Sequence, residues 1–183
     1  EKIQLTALVI RIMLLTSERV GNEGSAKEGH FGVTGFKNQH ITVSGTEVTM
    51  DYVGKSGKEH DKSFCDETSA EIIKLLLKRN KGFLFVTTDG FQIKADRVNR
   101  KLKHYGIKSK DLRGYNANRL MINRLDAEGV VEEKLRPKVF NKHLRLVAKK
   151  IGHGAPTLRK HYLIPSIEQD FYKYGKVKTI EID

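Results

Sequence analysis

Apolar positions change their spacing several times along the chain, and each change marks an element. Between about residues 2 and 20, Ile3, Leu5, Leu8, Val9, Ile12, Met13 and Leu15 recur at mixed three- and four-residue steps. That spacing predicts an amphipathic or largely buried helix, with Gly21 as its stop and Arg19 in its last turn. Residues 22 to 36 are rich in glycine and polar side chains and read as a loop or short helix. From His40 the period becomes two: Ile41 and Val43, the turn Ser44-Gly45, then Val48, Met50 and Tyr52. A second turn at Gly54-Lys55-Ser56-Gly57 and a strand to Phe64 complete a three-stranded antiparallel sheet, with Lys55 at the tip of its second hairpin.

The helical period then returns. Asp66 to Asn80 carries Ala70, Ile73, Leu76 and Leu77 on one face, with Asp66 or Thr68 as N-cap. Phe83 to Val86 is a short buried run. Lys94 to Tyr105 is a basic helix with Val98, Leu102 and Tyr105 inward, and Ser109 to about Leu125 forms another. A charged linker, 126 to 137, precedes a helix from Val139 to Ile151. The last helix runs from Pro165 to Tyr174. The pattern predicts an α+β fold, mostly α-helical, in which a small three-stranded antiparallel sheet packs with a bundle of seven or eight helices.

Composition narrows the class. The 183 residues suffice for one domain, or one large domain with a subdomain, and a hydrophobic fraction of 38% is globular. A formal net charge of +12 draws the chain to polyanions, nucleic acid or an anionic membrane. The single cysteine, Cys65, excludes an internal disulfide and a cysteine zinc site. The longest apolar run, Ala7 to Leu15, is broken by Arg11 and is too short to span a bilayer. The chain begins with Glu1 inside a helical pattern, which suggests a piece of a longer protein. Gly54-Lys55-Ser56 resembles a scrap of a phosphate-binding loop, but the motif's first glycine is missing and a strand follows, so nucleotide hydrolysis is discounted.

The chemistry gathers around Gly152-His153-Gly154-Ala155-Pro156 and Tyr162. A phenol among cations could attack an anion; a tyrosine at a helix end could equally be packing. Lys110 and Arg113, three apart at a helix start, share a face, and an anion bound there would offset the cost of placing cations at that end. Singly, each of these residues has an ordinary reading: Lys55 as a solvated turn, Arg19 as a cation at a helix end, His153 as a packed terminus.

Five stretches in order carry more weight. They are Ser17-Glu18-Arg19-Val20-Gly21-Asn22-Glu23, Phe36-Lys37-Asn38-Gln39-His40-Ile41, Tyr52-Val53-Gly54-Lys55-Ser56-Gly57-Lys58, Lys110-Asp111-Leu112-Arg113, and Ile151-Gly152-His153 followed nine residues on by Tyr162. With these the chain resembles the type IB DNA topoisomerases of the poxvirus and bacterial kind over nearly its whole length. The resemblance implies that one strand of duplex DNA is cut by tyrosine attack on a phosphate. A 3′-phosphotyrosyl bond is held while the duplex swivels, and the strand is then resealed without ATP, metal or other cofactor.

Tyr162 would be the nucleophile, and Arg19, Arg113 and His153 would contact the scissile phosphate. Lys55 would be the general acid. Lys110, Lys58, Lys37 and Asn38 would lie on DNA. The resemblance further implies that residues 1–183 are a catalytic domain without the family's N-terminal β domain. It implies a monomer that clamps DNA with that missing part and works with DNA, in the bacterial cytoplasm or nucleoid or, if viral, in the virion and infected cell, away from membranes. The rivals are a site-specific tyrosine recombinase, which usually has His-x-x-Arg where this chain has Lys110-Asp111-Leu112-Arg113, and a non-catalytic DNA-binding module.

Overall fold

The structure, a computed structural model, describes residues 1–54 and 57–178. The chain divides into two compact units, Glu1–Lys110 and Asp111–Asp183.

In the first unit, α1 (Lys2–Thr16) buries Leu5, Leu8, Val9, Ile12 and Met13. It stops four residues earlier than its apolar pattern suggested. Ser17 takes a left-handed conformation, φ 60°, and its N–H bonds to the Met13 carbonyl at 2.9 Å, so it ends the helix in the way Gly21 was expected to. Arg19 therefore stands in the irregular segment after α1 rather than in its last turn. Ile3 and Leu15, counted on the apolar stripe, are exposed.

A short α2 (Glu23–Lys27), capped by Asn22, leads to the sheet β1 (Ile41–Ser44), β2 (Glu47–Val53) and β3 (Glu59–Cys65), antiparallel in the order β1-β2-β3. Register pairs Ile41 with Met50 and Tyr52 with His60. Val48, Met50 and Tyr52 alternate inward along β2 while Glu47, Asp51 and Val53 face out, the period-two signature of a sheet covered on one side. Helix α3 (Glu67–Arg79) covers that side with Ala70, Ile73 and Leu76. Asp66 is its N-cap and accepts from the Ser69 N–H at 3.0 Å. In the run after α3, Leu84 and Phe85 are buried, but Phe83 is exposed. Helix α4 (Ala95–His104) buries Val98 and Leu102 and packs on α1. Tyr105, expected inward, is 63% exposed: it lies at the helix end, where the chain leaves the helical periodicity that pointed it in.

The second unit is helical. Helix α5 (Ser109–Asp126) begins in the last residues of the first unit and buries Leu112, Ala117, Met121 and Leu125. The linker is shorter than expected, because a turn of 3₁₀ helix at Glu133–Leu135 leads directly into α6 (Arg136–Ile151), with Pro137 in its first turn. Pro137 has no N–H to lose there, so it opens the helix rather than closing the linker. Helices α7 (Ala155–His161) and α8 (Pro165–Tyr174) pack on α6. Phe140, Val147, Leu158, Ile167 and Phe171 are fully buried in the shared core.

Candidate active site

Three of the expected site residues come together in the second unit. Arg113 lies in the first turns of α5 and is 6% exposed. Its guanidinium donates to the Ile151 carbonyl at the end of α6. There Gly152 is left-handed, φ 78°, and the His153 N–H turns back to the Ala148 carbonyl at 2.9 Å. This six-residue closure needs a residue free of left-handed strain, and glycine supplies it. The reversal places His153 two residues beyond the carbonyl that Arg113 holds.

From Gly154 the chain makes two turns of α7, fastened by the fully buried Leu158. The N–H groups of Tyr162 and Leu163 both bond to the Leu158 carbonyl, at 3.0 and 3.1 Å, and close the helix. Tyr162 is half-buried at this end. Its ring lies 4.7 Å from the His153 ring, tilted by 36°, and the Arg113 guanidinium stands 6.0 Å from the ring centre. Two donors suited to an anion thus flank one phenol.

The backbone after Tyr162 has its own anchor, which sequence reasoning did not single out. Asn118, buried one helical turn after Gly114 on α5, donates to the carbonyls of Gly114 at 2.7 Å and Tyr162 at 2.8 Å. Its oxygen accepts from the Ile164 N–H at 2.8 Å. Arg113 and Asn118 therefore grip both ends of the segment that carries His153 and Tyr162. An asparagine in a helix interior, disfavoured there unless its amide is used, was the available signal. The cations next to the tyrosine are differently engaged: Arg159 makes a bidentate pair with Glu168, at 3.0 and 2.7 Å, and lies over the Phe140 ring.

The other expected residues belong to the first unit or its border. Lys110 is exposed in the first turn of α5. Arg19 is half-buried in a tightly built crossing. Its carbonyl accepts from the Val33 N–H at 2.9 Å, and the Val20 carbonyl accepts from the Thr34 N–H at 2.9 Å and hydroxyl at 2.8 Å. A Cβ on Gly32 would come within 2.6 Å of Gly21 and 2.7 Å of the Arg19 carbonyl, so the two strands of this crossing meet only because both residues are glycine. Lys37 reaches over the Phe31 and Phe83 rings, 5.6 and 5.8 Å from their centres. The Asn38 amide donates to the Leu77 and Asn80 carbonyls at the end of α3, at 3.1 and 2.6 Å. Lys58 is exposed beside the second hairpin turn, where its carbonyl accepts from the Gly54 N–H at 2.7 Å. Lys55, expected at the tip of that turn, lies outside the described residues.

A family model described as the eukaryotic DNA topoisomerase I catalytic core matches residues 1–180. The chain is 24% identical over 179 residues to DNA topoisomerase 1B of Acanthamoeba polyphaga mimivirus, an overlap of 89% of this chain and 53% of that protein. It is 26% identical over 143 residues to DNA topoisomerase I of Monkeypox virus, and 25% identical over 143 residues to DNA topoisomerase 1B of Vaccinia virus strain Copenhagen. Each of those two overlaps covers 74% of this chain and 43% of the viral protein. The chain spans about half the length of the curated relatives it matches.

Proposed function

Because the chain belongs to the DNA topoisomerase I catalytic-core family, the type IB enzymes, we propose that it carries the centre that cuts and reseals one strand of duplex DNA to relax supercoils. The observation that supports this most directly is the placing of Arg113 and His153 around the ring of Tyr162.

In this reading the Tyr162 oxygen attacks a backbone phosphorus. The bond to the 5′-oxygen breaks, and a 3′-phosphotyrosyl bond takes its place. The non-bridging oxygens gain charge as phosphorus becomes five-coordinate. The Arg113 fork and the His153 imidazole are donors set in advance for that charge, as in an oxyanion hole, and the family motif assigns Arg19 a second fork on the same phosphate. The departing alkoxide is a poor leaving group, and Lys55 gives it a proton. The covalent step conserves the energy of the broken bond, so resealing by the free 5′-hydroxyl needs no ATP, and the donor set does its work without a metal. Lys110, Lys58 and Lys37 hold DNA through its phosphates; Asn38 enters as a contact only if its amide leaves the end of α3.

The test is relaxation of a supercoiled plasmid lacking any recombination site, in EDTA and without ATP, by the full-length protein. Relaxation, with a denaturant-trapped protein–DNA adduct, is expected. Tyr162→Phe should lose adduct and relaxation while DNA binding survives. An adduct formed by the Phe variant would remove Tyr162 as nucleophile, and failure of the unaltered protein to relax the plasmid would leave the recombinase reading in its place.

A further inference from the structure

Next to Arg19 the chain buries a carboxylate that the chemistry above does not use. Glu18 is 5% exposed. One of its oxygens accepts from the Tyr52 hydroxyl on β2, the other from the Lys62 ammonium on β3. Burial alone would raise its pKa. The charge of Lys62, its hydrogen bond and that of Tyr52 outweigh burial and hold the carboxyl below its ordinary value, so it is an anion throughout the working range.

The same sheet edge carries His60, whose ring stacks on Tyr52 at 5.0 Å and 6°. Burial first, then the charges of Lys62, Arg19 and Lys58, push His60 down against the pull of Glu18, so the Arg19 charge is felt at this edge.

The backbone is committed as well. Ser17, which leads into Glu18, is the one non-glycine residue of positive φ among the described residues, and such a conformation persists only where its surroundings over-determine it. The chain after Arg19 is tied through Val33 and Thr34, and the adjoining Phe31 N–H bonds to the Val53 carbonyl at the end of β2 at 2.8 Å.

We propose that Glu18 is a positioning residue for Arg19: gripped by Tyr52 and Lys62, it fixes the turn after α1 against the sheet and so sets where the next side chain stands. This rests on the phosphate role of Arg19 given above. A buried ion pair of this kind contributes little net stability compared with apolar side chains of the same volume, while removing one partner leaves the other uncompensated. Its value lies in specifying one arrangement, here of the guanidinium that meets the phosphate.

The experiment is a cycle of relaxation rates on supercoiled plasmid with the full-length protein, comparing Glu18→Leu, Arg19→Ala and the double variant, with plasmid binding and melting measured alongside. If Glu18 acts through Arg19, Glu18→Leu slows relaxation by about tenfold or more with binding within about twofold, yet slows the Arg19→Ala protein by less than about twofold. Equal losses in both backgrounds, or an unaltered rate in Glu18→Leu, overturn the proposal. Should Glu18→Leu fail to fold, Glu18→Gln and Tyr52→Phe, each of which keeps part of the contacts, are judged by the same criterion, with smaller losses. Arg19→Ala alone reports on the underlying reading: if it relaxes plasmid normally, the phosphate role of Arg19 fails before Glu18 is considered.

Discussion

Arg113 shows why residue type matters at this site. Its guanidinium is nearly buried, bonds the Ile151 carbonyl and stands over the Tyr162 ring at once, which only a planar fork with several donors can do. Arg113→Ala should slow cleavage by about 10²–10³-fold, the usual loss for one preorganised donor. Arg113→Lys should recover little, since an ammonium is a point charge and cannot hold Ile151 and a phosphate in fixed geometry. The measurement is the single-turnover rate of adduct formation, and full recovery by lysine would refute the fork. Arg113, His153 and Tyr162 were legible because each sits in a motif of recognisable spacing. Asn118 and Glu18 were not, because their partners are the Tyr162 carbonyl, the Ile164 N–H and the side chains of Tyr52 and Lys62, 34 to 46 residues away. The helix-interior asparagine hinted that the Asn118 amide is used, but nothing local in the chain names these distant partners.

At the scale of elements, α3 offers a clean test. Asp66 caps it and also binds Arg11 of α1 through both oxygens. The Arg11 hydrogen bonds, with those of Ser69, hold the carboxyl well below the usual carboxylate range. The sign follows: with the folded value depressed, the ionised cap contributes fully above the ordinary carboxyl range and is lost only as pH falls through and below it. Asp66→Ala should cost about 1 kcal/mol at neutral pH, whereas Asp66→Asn, which can still accept from the Ser69 N–H, should cost about half that or less. Urea denaturation at pH 7 and at pH 3 checks this, with the gap between wild type and the Asn variant narrowing at the lower pH. Most elements were readable from spacing alone, as in β2 with its strict alternation. The misread ends, Tyr105 and Phe83, share a cause: periodicity tells which way a side chain points, but not whether anything covers it at the end of an element.

Over the whole molecule, the chain carries two separately cored units, and the second holds Arg113, His153 and Tyr162. Phe171 is fully buried there, 6.1 Å from the Phe140 ring. Phe171→Ala should cost about 3–5 kcal/mol, the range for emptying a closed aromatic site. Thermal melting checks it, and a shift below a few degrees would mean that the site collapses around the gap. The charge of the molecule, 34 basic against 22 acidic residues, pointed to a polyanion but not to which one. The order of the five motifs made that choice, and the family match over residues 1–180 agrees with it. Where the chain divides was not legible, since the polar stretch from Gly106 to Asp111 reads like any other turn between two helices. The border falls inside the first turn of α5, between Lys110 and Asp111, within one continuous helix.

The short helix α7 has a consequence for how such a chain can vary. Between the turn at Gly152 and the Tyr162 N–H it is a spacer of two turns, closed at both ends. Each residue of an α-helix advances it by about 1.5 Å and rotates it by about 100°. One residue gained or lost within α7 would swing the phenol away from His153 and Arg113 although every side chain of the site remained. Pro156, Thr157, Lys160 and His161 are exposed, so packing does not fix their kind. Their number is another matter: where the phenol stands depends on how many residues the spacer has before it depends on which residues they are.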